Sequence, residues 1–435
     1  MVGAGAAGLT AAIFSARAGA PTLLLERTRD GGRKILISGG GRCNVLPGTF
    51  RPGDYVTDSS PHTLRKILRS WPLAEQRRFF EEDLGIPLKH EDYGDKLFPV
   101  SDRARDVRDA LVEAVRAAGG EIRFGVTGEG VELSEAPGFQ GDRDLEARVE
   151  GEAARPAWRV RVEGGPPVDA GAVILATGGL SVAATGSDGR GLRWARDLGH
   201  RVHATYPALT PLLADPPVHA GLAGVSLEVE LEGIREEDFL FTHRGYSGPA
   251  VLDVSHLATR SRLAGDEEGG VGGPETVGRE EGGDPGASAT LRVSWTGEGP
   301  EVWDERLREG SRAVSTVLAE GLPSRLAETL QAEAGVPPDR RLSQLRKEER
   351  RALVEHLSRY PLPWTGDEGY KKAEVTGGGV ALDEVDARTL ESRRWGGLYL
   401  CGEMLDAFGP IGGHNFLWAW ATGRAAGTAA GSRES

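Results

Sequence analysis

Residues 3 to 8 read GAGAAG, and the apolar run PTLLLE ends eighteen residues later in Glu26. Glycines at this spacing suit a phosphate: Gly3 permits a tight turn, Gly5 lets the backbone approach a pyrophosphate, and Gly8 lets a helix pack closely on a sheet. Glu26 is placed to accept hydrogen bonds from ribose hydroxyls. Further on, ILISGGGRCNV sets Gly39, Gly40 and Gly41 beside Arg42, Cys43 and Asn44. Two more glycine turns, Gly178-Gly179 and Gly412-Gly413, complete a set of four. Such turns can converge on one extended ligand, to which the bond-breaking chemistry would belong; the alternative is that they are ordinary loop glycines in a chain with 63 glycines.

The surrounding elements fit that reading. LTAAIFSARAGA places Leu9, Ile13 and Phe14 at helical spacing, and Gly19 ends the helix. AVILA near 172–176 and LYLCG near 398–402 read as buried strands running into glycine turns. Ligands of open α/β sheets lie at the carboxyl ends of parallel strands, so one FAD could touch turns from both ends of the chain. The expected fold is α/β: a Rossmann-like FAD-binding domain of 1–195 and 365–435, an inserted β domain at 196–300, and a helical subdomain at 301–364. The β reading rests on short strands such as LEVELEG, FLFTH and LRVSW. Residues 264–288, glycine-rich and acidic, read as a solvated loop. A second GxGxxG after a strand, usual where a separate nicotinamide domain exists, is absent from the sequence.

Composition narrows the partners. The chain has 52 Lys plus Arg against 65 Asp plus Glu, a formal charge of -13, which argues against nucleic acid as a partner. The apolar runs are strand-sized, far short of the ~20 residues of a membrane span. With no basic leader ahead of an apolar segment, the cytoplasm is the expected location. Cys43 and Cys401 are the two cysteines; so far apart, they suggest neither a metal site nor a disulfide framework.

GAGAAGLTAA, GRKILISGGGRCNV, KLFPVSDRARDV, VILATGG, FTHRGYSGPAVLDVS, EVTGGGV and GLYLCGEMLDAFGPIGGHNFLWAWATGRAAG together resemble, in order and over nearly the whole chain, the motifs of the BaiN/YhiN-type FAD-dependent flavoproteins. The resemblance implies an FAD-binding domain built from both chain ends. It places Gly3, Gly5 and Gly8, with Ala6 and Ala7 between them, at the pyrophosphate and Glu26 at the ribose, with Arg27 beside it. Lys34 or Arg42 would lie near the phosphates. Gly40, Gly41, Cys43 and Asn44 would line the cofactor, and Val126 the adenine. Thr177, Gly178 and Gly179 would join Gly402, Glu403 and Asp406 nearer the flavin. Gly412, Gly413, His414 and Asn415 would bring a helix N-terminus to the pyrimidine edge, where a reduced flavin gains negative charge. The family commonly has Tyr at the position of His414.

Cys43, His414 and His243 are the candidate catalytic residues, each with a plainer alternative: a small packing residue, a positional residue and a loop histidine. Trp418 and Trp420 read as helix core. The expected activity is an FAD-dependent oxidoreductase moving a hydride between flavin and a small organic substrate, with NAD(P)H or oxygen as redox partner. The alternatives are a small-amine oxidase of aminoacetone type and an FAD-containing RNA-modifying protein. Finally, a dinucleotide-binding unit needs a buried strand of about five or six residues before its first glycine, and only Met1 and Val2 precede Gly3. The natural protein is therefore expected to start upstream with an apolar run. Extending the chain to an upstream in-frame start should raise thermal stability and flavin retention; equal values for the two forms would contradict this.

Overall fold

The computed structural model describes residues 1–91, 95–134, 158–266 and 289–433. Two compact units make it up: residues 1–205 with 375–435, and residues 206–374.

The first unit is built on parallel strands. Leu23–Glu26 pairs with Glu121–Phe124, and Val173–Leu175 pairs with Leu398–Leu400. The chain start joins the two pairs. Val2 bridges Leu25 on one side and Leu175 on the other, both parallel. Its backbone is held on both flanks, by Val2 N–H on Ile174 O (2.9 Å), Ala176 N–H on Val2 O (2.9 Å) and Gly3 N–H on Leu25 O (2.8 Å). All carboxyl ends therefore face one edge, where Gly3, Glu26, Thr177 and Gly402 sit. That edge is where an open parallel sheet binds its ligand.

Two helices fix this edge. Ala6–Arg17 follows the first glycine turn and His414–Ser432 closes the chain. They pack backbone on backbone. A Cβ at Gly423, Gly427 or Gly431 would come within 2.4 Å of Ala7 O, 2.2 Å of Ala11 O or 2.7 Å of Ser15 O. Glycine every fourth residue leaves a smooth stripe, and the shared increment in both helices means they run in the same direction. Trp418 and Trp420 are fully buried, as the sequence predicts. Their indole N–H groups donate to Gly402 O (3.1 Å) and Val45 O (3.0 Å).

The second unit has an antiparallel sheet in the spatial order Tyr360–Pro361, Arg292–Ser294, Ser226–Leu231, Ile234–Phe241, Gly245–Ser247, Leu212–Leu213, Gly366–Asp367. The helices Pro300–Arg306, Val314–Leu318, Ser324–Glu333 and Lys347–Ser358 match the helical pattern of that region. The stretch expected as an inserted β domain, 196–300, also carries a helix, Pro249–Asp266, with Val251, Val254 and Ala258 on its buried side. A buried polar network lies in this unit: His219 bonds Tyr246 OH (2.9 Å) and Glu333 Oε1 (3.0 Å), and Tyr360 OH donates to Glu333 Oε2 (2.8 Å). Most of the acidic glycine-rich loop of the sequence, 267–288, lies outside the described residues. Among the described residues no helix is long and apolar enough to cross a membrane.

The helix pair yields a prediction whose sign is set by magnitudes. Gly→Ala in an exposed helix interior stabilises by about 1 kcal/mol, but at Gly427 the added carbon meets backbone that cannot swing aside. Overpacking of this sort costs about 1–3 kcal/mol. Gly427→Ala should therefore lower stability in urea unfolding; a gain would show that the helices are not in close contact.

Candidate functional site

The three glycines of the first turn serve different ends. A Cβ at Gly3 would lie 2.5 Å from Ala176 O, and at Gly8 1.8 Å from Gly3 O, so the fold itself requires both to be glycine. Gly5 is different. Its φ of -80° is open to any residue, and a Cβ there would meet nothing within 4 Å. Neither backbone conformation nor packing calls for glycine at 5, so the space in front of it is what a ligand would use.

Gly5 is also the N-cap of the first helix, with no side chain capping it, and Gly413 holds the same position, likewise uncapped, on the C-terminal helix. Each helix thus presents first-turn N–H groups and the positive end of its dipole without a side-chain acceptor. The packing register sets Ala6 level with Thr422 and starts the C-terminal helix at His414, about 12 Å earlier at 1.5 Å per residue. Two anion-favouring helix ends therefore lie in line along one direction.

Glu26 sits at the end of its strand, buried. Its Oε2 accepts from Ala4 N–H (2.7 Å), and its Oε1 from Thr28 N–H (2.7 Å) and Thr28 Oγ1 (2.6 Å). The carboxylate clamps the glycine turn and keeps lone-pair capacity for a hydroxyl. Val126 N–H donates to Glu26 O (2.9 Å), which brings the expected adenine-side residue beside it. Arg27 is turned to Asp188, at 2.5 Å.

The SGGGRCN turn explains its own glycines. Gly39, Gly40 and Gly41 have φ of 54°, 67° and 88°, three successive left-handed residues, which only glycine adopts cheaply. Arg42 stacks over Phe98 at 4.3 Å and pairs with Glu91 at 2.8 Å. Cys43 is fully buried, and desolvation pushes its thiol up to about 12. A thiol of that kind stays protonated and inert at neutral pH, which favours packing over catalysis. The same cause places Cys401 at about 12. Asn44 Oδ1 and Thr177 Oγ1 are buried without a hydrogen-bond partner among the described residues. Unpaired polar atoms of this kind are uncommon in folded proteins and call for an explanation.

Sequence reasoning gave Lys34 and Glu403 but not what joins them. Lys34 Nζ donates to Glu403 Oε2 and to Ser181 Oγ, both at 2.5 Å. Ser181 Oγ donates to Glu403 Oε1 (2.6 Å), which also accepts from Thr376 N–H and Oγ1 at 3.1 and 3.0 Å. Leu180 N–H closes the network on Thr376 Oγ1 (2.7 Å). Gly178 and Gly179 are tucked against it, since a Cβ at Gly179 would lie 2.3 Å from Thr376 Oγ1. Ser181 and Thr376, unnoticed in the sequence, thus tie four distant segments together.

Asp406 is buried and is used inwardly. Its Oδ2 accepts from Ser59 Oγ (2.7 Å), Asp58 N–H (3.0 Å) and Thr57 Oγ1 (3.0 Å). Burial holds this carboxyl above its ordinary value, against the donors' opposite pull. His203 Nε2 lies 3.7 Å from the same oxygen, another residue the sequence did not single out.

In the last turn, Asn415 grips the loop it follows: its Oδ1 accepts from Gly409 N–H (3.0 Å) and its Nδ2 donates to Gly409 O (2.9 Å). His414 Nδ1 bonds Ile411 O (3.2 Å), which requires the proton on Nδ1 and leaves Nε2 as the accepting atom. Desolvation lowers its pKa below 6.5, so the ring is neutral at pH 7. A neutral imidazole in this tautomer accepts a hydrogen bond or a proton and is a poor acid. Tyr55 OH donates to His414 O (2.8 Å) and fixes the turn. Gly412 lies next to Lys96. His243 is exposed in the turn before Gly245–Ser247, in the second unit.

Residues 1–429 match the model of the HI0933-like protein Rossmann domain. The chain is 31% identical to the ribosomal RNA dihydrouridine synthase of Escherichia coli K12, over 97% of this chain and 95% of that one. It is 30% identical to the 3-dehydro-bile acid delta(4,6)-reductase of Clostridium scindens, over 100% and 98%. A ribosomal RNA dihydrouridine synthase of Haemophilus influenzae is 28% identical, over 97% and 95%. Among solved structures, 3-ketosteroid delta1-dehydrogenase from Sterolibacterium denitrificans covers 99% of this chain and 98% of its own at a TM-score of 0.51 and 13% identity, a likeness of fold alone. The chain belongs to the HI0933-like family of FAD-binding Rossmann proteins and is an FAD-dependent oxidoreductase.

Proposed function

We propose that FAD lies along the carboxyl edge of the parallel sheet and that the enzyme reduces a carbon–carbon double bond conjugated to a carbonyl, with a uracil base of ribosomal RNA as the leading substrate. Gly5 carries the cofactor half of this reading, because an ordinary backbone conformation with open space before it is explained by a pyrophosphate. The unpartnered Asn44 Oδ1 and Thr177 Oγ1 fit the same ligand. In this reading Gly3, Ala6, Ala7 and Gly8 shape the turn, and Glu26 and Val126 take the adenosine end. The network of Lys34, Ser181, Thr376 and Glu403 stiffens the middle, and Gly413, His414 and Asn415 set the far helix end.

Bound flavin would supply hydride transfer to the double bond, and a nicotinamide nucleotide the reducing equivalents. The protein contributes position and charge: the C-terminal helix offers its positive end where negative charge collects, and the neutral His414 offers Nε2 as acceptor. The substrate half draws on the relatives. Dihydrouridine is uridine with the bond beside its carbonyl saturated, and a delta(4,6)-reductase of a 3-oxo bile acid saturates a bond conjugated to a carbonyl. One chemistry covers both names, and two of the relatives act on RNA by name. The 30% identical bile-acid reductase favours a second reading, a small enone as substrate.

Incubating the purified enzyme with NADH or NADPH and unmodified ribosomal RNA should add two hydrogens to a uridine, read by mass spectrometry of the digested RNA. Turnover of a small enone with the RNA untouched would favour the second reading. Gly5→Val should lose flavin absorbance while unfolding at the temperature of the flavin-free parent, since the branch has room and only the ligand's stabilisation is lost. Full flavin occupancy in that variant would contradict the assignment of the turn.

A further inference from the structure

The overall charge of -13 conceals a local reversal. Residues 61–78 contain Arg65, Lys66, Arg69, Arg77 and Arg78 against a single acid, Glu75. The helix Pro61–Arg69 buries Leu64, Ile67 and Leu68 and exposes His62, Arg65, Lys66 and Arg69 on the opposite side. Arg65, Lys66, Arg69 and Arg78 form no ion pair among the described residues. Of the three acids that follow, Glu81 is engaged by Arg77 and Asp83 by Arg17, which leaves Glu82 as the one next in the chain without an ion pair among the described residues. Exposed cations gathered on one helix face and left unneutralised, in an acidic protein that pairs just over half of its described arginines, make a surface for polyanions.

This face is tied to the cofactor edge. Thr57, Asp58 and Ser59, immediately before the helix, are the donors to Asp406. At the other end Ser70 O accepts from Arg424 Nη1 (3.1 Å), on the C-terminal helix that begins at His414. With its apolar residues already buried, the helix has only charge to offer, which suits a phosphate backbone and does not suit insertion into a bilayer. We propose that the exposed face of Pro61–Arg69 is where this enzyme docks the phosphate backbone of its RNA, a proposal that rests on the RNA reading above.

The test uses the flavin-loaded enzyme and deproteinised ribosomal RNA, with binding measured across a salt series. Replacing Arg65, Lys66 and Arg69 together by Gln should weaken binding about 10-fold or more and lower the slope of log K against log salt by about two to three, as expected for three lost phosphate contacts. Flavin content, unfolding temperature and reduction by NAD(P)H should be unchanged. A variant with Arg65→Lys and Arg69→Lys, which keeps the charge, should bind like the parent. If the Gln variant binds as tightly as the parent, or the Lys variant loses as much as the Gln variant, this face is not the dock, while the RNA reading stands. A parent enzyme that neither binds nor modifies ribosomal RNA overturns both. Charge-dependent binding to phosphatidylserine vesicles, with none to RNA, would overturn the proposal in favour of a lipid surface.

Discussion

The first unit depends on the direct contact of two helix backbones. Gly423, Gly427 and Gly431 lie on Ala7, Ala11 and Ser15 with no room for a side chain between them. Because the helices come from opposite ends of the chain, this contact makes one site from residues more than 400 positions apart. It aligns two uncapped helix N-termini in one direction, offset by about 12 Å, at the edge where the parallel strands end. Any bulk in the stripe would push the C-terminal helix outward. Gly402, whose backbone is held by Thr422 and Trp418 of that helix, would move with it.

The site is preorganised mostly through carboxylates turned inward. Glu26 clamps the first turn, Glu403 gathers Lys34, Ser181 and Thr376, and Asp406 collects donors from residues 57–59. Each acid fixes a loop that carries other groups toward the edge. Charge-assisted hydrogen bonds are about twice as strong as neutral ones, so three such knots can hold glycine turns whose own conformational freedom would otherwise loosen them. The first turns of the two helices keep backbone N–H groups free of side-chain caps, surroundings fit to hold a cofactor that carries its own reactivity.

Features with a short sequence range were legible. The GAGAAG turn, the helix after it, the strand ending in Glu26 and the buried tryptophans near 418 follow from spacing alone, and the motif order pointed to the family. Features fixed by long-range contact were not. Nothing near Thr376 or Ser181 marks them as partners of Glu403, and His219 gives no sign of Tyr246 and Glu333. The helix Pro249–Asp266 was hidden because the strands before it set the expectation of β structure. Gly423, Gly427 and Gly431 recur every fourth residue, a spacing that means nothing until the partner helix is in place. Net charge is also a coarse guide: a sum over 435 residues says little about one helix face.

The central claim is that the turn at Gly5 and the acid at Glu26 form the site of an adenosine diphosphate moiety. It is tested most directly by denaturing the purified protein and identifying the released flavin by chromatography. The account predicts FAD, in a ratio near one per chain. Recovery of FMN alone, which has no adenosine to place beside Glu26, would contradict it.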